Sequence, residues 1–174
     1  MIKGGIGGGK TKTGLVFESR IDLRTAFTKF KQYTAKDGDL LFDNKLVAKM
    51  YKKNDFYNKF LKSYNINYKS RISKKLLPDE AIFIIKDKIL FIIEMKFQEV
   101  AGSVDEKLQT CDFKKKQYSR LLAGIGIKVE YVYVLNEWFK DKSYKDVLDY
   151  IKSVGCYYFF EILPFEFLGL PRPY

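Results

Sequence analysis

The stretch LPDEAIFIIKDKILFIIEMK, residues 77–96, decides how this chain folds. Two apolar runs, AIFII and ILFII, flank Lys86-Asp87 and read as strands folded back to back. With Lys86 and Asp87 as central turn residues, Ile85 faces Lys88, and the numbers of facing residues sum to 173. Asp79 then falls opposite Glu94, and facing residues of an antiparallel pair point to the same side. Side chains alternate along a strand, so Lys96 shares that side with Glu94. Two carboxylates and a lysine would converge at the open end of the hairpin. Such a set can hold a divalent cation and aim a water at a phosphate. The register hangs on the turn: Lys-Asp is not a favoured hairpin dipeptide, and one extra loop residue would flip one partner to the other face. From the residues alone, Glu80 competes with Asp79 as the carboxylate, and Glu94 with Lys96 also fits the exposed face of an edge strand.

The chain has 174 residues and 47% hydrophobic content, enough for one domain with one core. Its net charge of +11 predicts a polyanionic partner, with nucleic acid ahead of an acidic membrane. No apolar run approaches the roughly 18 residues of a membrane span, and the Gly-rich N-terminus lacks an apolar signal core. Both point to a cytoplasmic protein without a membrane partner. Cys111 and Cys156 are too sparse for a disulfide framework and read as free thiols of a reducing compartment. The chain has no histidine. That excludes Ser-His-Asp and Cys-His catalysis, histidine-based nuclease sites and Cys/His zinc sites. Phosphodiester chemistry would rest on carboxylates, lysine and a hard cation, Mg²⁺ or Mn²⁺.

Outward from the hairpin, the apolar spacing predicts helices over 15–33 and 44–62, with 64–76 as an edge strand. Ser103 and Glu106 form a capping box that opens a helix to about Leu122, closed by Gly124 and Gly126. Strands follow at 127–135 and 156–163, separated by a helix carrying Tyr144, Val147, Leu148 and Ile151. The tail, with three prolines, reads as irregular. The order predicts an α/β domain with a mixed sheet and helices on its faces.

Residues 51–75 carry eight lysines and arginines against Asp55 alone, with four tyrosines interleaved. Lys69, Arg71, Lys74 and Lys75 are candidate phosphate contacts, which give affinity without sequence information. Lys114, Lys115 and Lys116 form a second basic cluster. Gly4 to Thr11, GGIGGGKT, matches the P-loop pattern. Only three residues precede it, too few for the buried strand a P-loop requires. A Gly-rich basic arm over 1–14, with Lys10 and Lys12 on phosphates, is the better reading.

The string Pro78-Asp79 … Glu94-Met95-Lys96 resembles the motif of the PD-(D/E)xK nuclease superfamily, and its context most resembles a small type II restriction endonuclease. The resemblance spans about residues 66–135 and implies a restriction-endonuclease-like mixed β-sheet core with flanking helices. The whole chain would be one catalytic domain with its core at 77–135. The resemblance assigns Asp79, Glu94 and the Met95 carbonyl to the metal and Lys96 to the attacking water. It adds Glu18, where the family often supplies another glutamate, and Gln98, two residues beyond Lys96. It implies a Mg²⁺-dependent enzyme, with Mn²⁺ as substitute, that cuts double-stranded DNA at a specific sequence to leave 5′-phosphates. Such an enzyme would be a homodimer or pair with a recognition subunit. Structure-specific cleavage by the same site is the runner-up.

Overall fold

The computed structural model describes residues 14–17, 22–99 and 104–174. Its frame is a seven-stranded mixed sheet in the order β2-β3-β4-β5-β6-β7-β8, where β2 is Tyr33–Lys36, β3 Asp39–Phe42, β4 Lys45–Tyr51, β5 Glu80–Ile84, β6 Ile89–Lys96, β7 Lys128–Leu135 and β8 Tyr157–Phe160. Strands β2 to β6 form an antiparallel meander, and β7 and β8 add in parallel. A separate antiparallel pair joins β1, Gly14–Val16, to β9, Ile162–Pro164. Helices flank the sheet, giving an α/β architecture compatible with a restriction-endonuclease-like core.

The hairpin has the expected register. Glu80 pairs with Ile93 and Ile84 with Ile89, so every pair sums to 173. The ladder closes at Ile84 and Ile89, and the chain reverses over residues 85–88 with Lys88 in the left-handed region at φ 52°. Register is held by packing on both faces. Ala81, Phe83, Leu90 and Ile92 enter one core cluster; Ile82, Ile84, Phe91 and Ile93 enter the other. A one-residue slip would exchange the two sets and carry buried glutamates with them.

The parallel β6–β7 connection requires a crossover, supplied by α2, Val104–Leu108, and α3, Cys111–Leu121. The expected single helix is thus broken at residues 109–110, and its proposed cap Ser103 lies outside the described residues. Gly124 and Gly126 follow α3 at φ 83° and 71°, as a helix stop requires. Helix α4, Lys145–Ser153, buries Leu148 and Ile151 and returns the chain to β8.

Five expectations are corrected. The 15–33 helix reduces to α1, Leu23–Thr28, preceded by β1 and capped by the Asp22 carboxylate on the Thr25 N–H at 2.8 Å. The 44–62 helix is instead β4 followed by a π-helical segment, Phe56–Leu61. Two-residue turns, Asp37-Gly38 and Asp43-Asn44, have positive φ throughout and fold 33–51 into two hairpins. The 64–76 segment is no strand: it holds a single 3₁₀ turn, Tyr68–Ser70. The last strand also stops early, because Glu161 at φ 57° breaks it into β8 and β9. The tail opens with a one-turn helix, α5, Phe165–Leu168.

Among the described residues no helix is long and apolar enough to cross a membrane, and Cys111 and Cys156 are buried free thiols. The Arg71 guanidinium donates to the Leu121 and Ala123 carbonyls at 2.7 and 2.8 Å, satisfying the C-terminal end of α3. Arg71→Ala is therefore expected to lower stability by about 1–3 kcal/mol in urea melts. The same change at exposed Lys74 should cost about 0.5 kcal/mol or less. Equal costs at both positions would contradict this role for Arg71.

Candidate active site

Asp79 is positioned by the chain that leads into it. The Tyr57 hydroxyl donates to the Leu76 carbonyl and accepts from the Leu76 N–H, both at 2.9 Å, and the Tyr118 hydroxyl donates to the same carbonyl at 3.0 Å. Pro78 is buried, and its carbonyl accepts from the Lys53 N–H at 2.9 Å. These bonds fix the backbone on both sides of Leu77 and set Asp79 one residue before β5. Glu94 and Lys96 come from the free end of β6, beyond the last pairing with β5.

The three side chains meet. Lys96 Nζ lies 3.1 Å from Glu94 Oε2 and 4.0 Å from Asp79 Oδ2. Two further lysines join them. Lys53 Nζ contacts Asp79 Oδ1 at 2.5 Å, and Lys114 Nζ, from α3, donates to both Glu94 oxygens at 2.9 Å. Glu94 is only 5% exposed. Burial opposes its ionisation, but the charges of Lys96 and Lys114, with the Lys114 hydrogen bond, outweigh burial and hold the carboxyl below its ordinary value. On β7, Tyr131 and Tyr133 pair with Ile92 and Glu94. Their phenols are raised well above the usual tyrosine range, first by burial and then by the Glu94 charge, so both stay neutral. The Tyr133 hydroxyl donates to the Lys107 carbonyl at 3.2 Å and ties α2 to the sheet.

The site opens into a groove of about 550 Å³ lined by Lys52, Lys53, Asp79, Met95, Lys96, Phe97 and Lys107. Carbonyls alternate across a strand's two edges. The Lys96 carbonyl accepts from Asn136 N–H, on the β7 side, so the Met95 carbonyl points toward the Asp79 edge, where β5 no longer pairs. Asp79, Glu94 and this carbonyl form an all-oxygen donor set suited to Mg²⁺ or Mn²⁺. Among the described residues no group of three or more Asp, Glu or Cys side chains is placed to hold a metal, so the set has two carboxylates.

Other expected site residues fare differently. Glu80 faces the opposite side of the sheet, where the Leu23 N–H approaches Oε1 at 3.5 Å, so Asp79 is the carboxylate beside Glu94. Gln98 is buried two residues past β6, its backbone N–H and carbonyl both bonded to the Asn136 side chain. Lys69 and Lys74 are exposed, whereas the Lys75 ammonium sits over the Tyr57 and Tyr68 rings at 4.9 and 5.0 Å. Arg71 serves the far end of α3, away from Glu94. Glu18, Lys10 and Lys12 lie outside the described residues. The first described strand, β1, begins at Gly14, three residues past Thr11, at a place where the helix of a P-loop would run. Sequence reasoning missed Lys114 as a site residue. The available signal was a lysine three residues after Cys111 and four before Tyr118, on the helix face that packs on the sheet.

Compared with protein-family models, with curated proteins and with solved structures, the chain matches none.

Burial pushes Glu80 from its ordinary 4.5 up to about 7. The folded protein holds this proton over a range where the unfolded chain has lost it. The resulting stability is fully present below about 4.5 and is lost as pH rises through about 7. In thermal melts from pH 4 to 8.5, wild type should lose up to about 3 kcal/mol relative to Glu80→Gln. A gap between the two proteins that stays constant with pH would refute this assignment.

Proposed function

We propose that this chain is a metal-dependent DNA endonuclease, of the type II restriction class, that hydrolyses phosphodiester bonds in double-stranded DNA. The observation that carries the reading is the convergence of Asp79, Glu94 and Lys96 at the mouth of a lysine-lined groove. The absence of histidine leaves this group as the principal apparatus for phosphodiester chemistry among the described residues.

Asp79, Glu94 and the Met95 carbonyl would hold the cation. Bound Mg²⁺ or Mn²⁺ supplies charge neutralisation at the phosphate and lowers the pKa of water. Lys96 Nζ, fixed against Glu94 Oε2, orients the attacking water by hydrogen bonding and offsets the charge that grows on the phosphate. The water oxygen would bond to phosphorus as its proton passes to solvent, the P–O3′ bond would break, and O3′ would take a proton from solvent, leaving a 5′-phosphate and a 3′-hydroxyl. Lys52, Lys53 and Lys107 grip flanking phosphates. A palindromic target would be met by a homodimer with one site per subunit; pairing with a recognition subunit is the other assembly. Free buried thiols fit action in the reducing cytoplasm.

Plasmid incubated with Mg²⁺ or Mn²⁺ should yield discrete fragments. Lys96→Ala should cut at least about 10²-fold more slowly while still binding duplex DNA. Cleavage of branched but not linear duplex would move the reading to a structure-specific nuclease. No cutting of linear, supercoiled or branched DNA with either metal would end both readings. Independently, Lys52→Ala should weaken binding to all duplex sequences alike and reduce the salt slope by about 1; an unchanged slope would remove Lys52 from the phosphate contacts.

A further inference from the structure

The lysines outnumber the carboxylates at this site. Asp79 and Glu94 face three ammonium groups, those of Lys53, Lys96 and Lys114. Glu94 Oε2 alone receives both Lys96 at 3.1 Å and Lys114 at 2.9 Å. A carboxylate oxygen offers about two lone pairs, so Oε2 has none left for a cation while both lysines stay in place. Lys53 occupies one of the lone pairs of Asp79 Oδ1. A divalent cation entering this arrangement would meet a site already one charge positive, with Lys52 and Lys107 also on the groove wall.

The same geometry shows which contacts can yield. Lys96 is short of alternatives, flanked by both carboxylates on a strand whose register is fixed. Lys53 has 54% of its side chain exposed and opens onto the groove. Lys114 reaches Glu94 from the separate helix α3 and is itself 24% exposed. Each can swing its flexible stem to another anion. A DNA backbone laid along the groove supplies such anions at regular spacing.

We propose that Lys53 and Lys114 are internal counter-ions that close the two carboxylates to metal, and that phosphates of bound DNA draw them away and open the site. The inference rests on the nuclease reading and specifies how that site is regulated. Lys53 and Lys114 are positioning residues: they act through Asp79 and Glu94. Metal and DNA then bind with positive coupling, and coupling is reciprocal. The free protein holds metal weakly, and the DNA complex holds it tightly.

The test uses the full chain, Mn²⁺ counted by electron paramagnetic resonance, and a phosphorothioate duplex that resists hydrolysis, at constant ionic strength. Free wild type should bind Mn²⁺ at least about tenfold more weakly than free Lys53→Gln/Lys114→Gln. Duplex should tighten Mn²⁺ binding to wild type by a similar factor, and that gain should shrink toward one in the double variant. If Lys114→Gln fails to fold, Lys53→Gln alone, at an exposed pair, should still tighten Mn²⁺ binding about threefold or more. Free wild type that binds Mn²⁺ as tightly as the variants, or coupling that survives in the double variant, overturns the proposal. If plasmid cleavage persists alongside either result, the nuclease reading stands and only this inference falls. Absence of Mn²⁺ binding in every protein and complex, together with absence of cleavage, removes both.

Discussion

A carboxylate held charged inside the protein is the constraint from which the rest of this architecture follows. Glu94 sits on an inner strand, covered on both faces, with 5% of its surface in solvent. An isolated charge there would be costly or would simply take up a proton. It stays ionised because two ammonium groups lie within 3.1 Å. One comes from its own strand, two residues on, a spacing that keeps it on the same side. The other comes from α3, so the crossover between β6 and β7 must place Lys114 over the sheet. That requirement also aims Tyr118, one helical turn later, at the Leu76 carbonyl, where it steadies the approach to Asp79. One electrostatic demand thus organises a helix, a strand end and a loop. An aliphatic residue at 94 would remove the demand and the desolvation cost with it, so a fold under no other selection has little reason to keep this cluster.

The hairpin separates two carboxylates that are adjacent in sequence. Asp79 lies on the Glu94 side, whereas Glu80 points to the other face, against the start of α1. Their fates diverge accordingly. Asp79 remains 30% exposed at the groove and finds Lys53, while Glu80 is buried with little compensation and is pushed up to about 7. Because apolar residues alternate correctly on both faces, the assignment of the two carboxylates depends on the core and not on the turn. This explains how an unfavoured Lys-Asp reversal still delivers the right register.

How much of this was legible follows from which signals were redundant. Residues 77–96 were readable because length, alternation and two-sided burial agreed, and the parity argument then brought Asp79, Glu94 and Lys96 together. The strand at 128–135 and the helix at 145–153 were readable for similar reasons. The N-terminal third was not. Leu46, Val47 and Met50 match a helical stripe, yet Leu46 is 44% exposed, and Asp37-Gly38 with Asp43-Asn44 are strong hairpin dipeptides that outweigh that spacing. Local turn chemistry decided a segment that periodicity described wrongly. Lys114 was hidden for a different reason: its spacing from Cys111 and Tyr118 marks the helix face that packs on the sheet, but its partner lies 20 residues upstream on another element.

The basic clusters carry the same lesson into function. Lys114, Lys115 and Lys116 are consecutive, yet they serve three different carboxylates: Glu94, Glu130 and Asp112. Arg71 and Lys75 are committed to a helix end and to two tyrosine rings. Much of the charge that looked like a phosphate-binding surface is therefore internal wiring. The lysines that face the groove are few, and they stand on the walls around Asp79 and Lys96 rather than on a distant recognition surface. A polyanion drawn to this protein by those lysines would be drawn to the end of the hairpin that carries Asp79 and Lys96. Under the proposed reading, encounter and chemistry would share one surface, and the lysines that would attract a DNA backbone include Lys53, which contacts the Asp79 carboxylate.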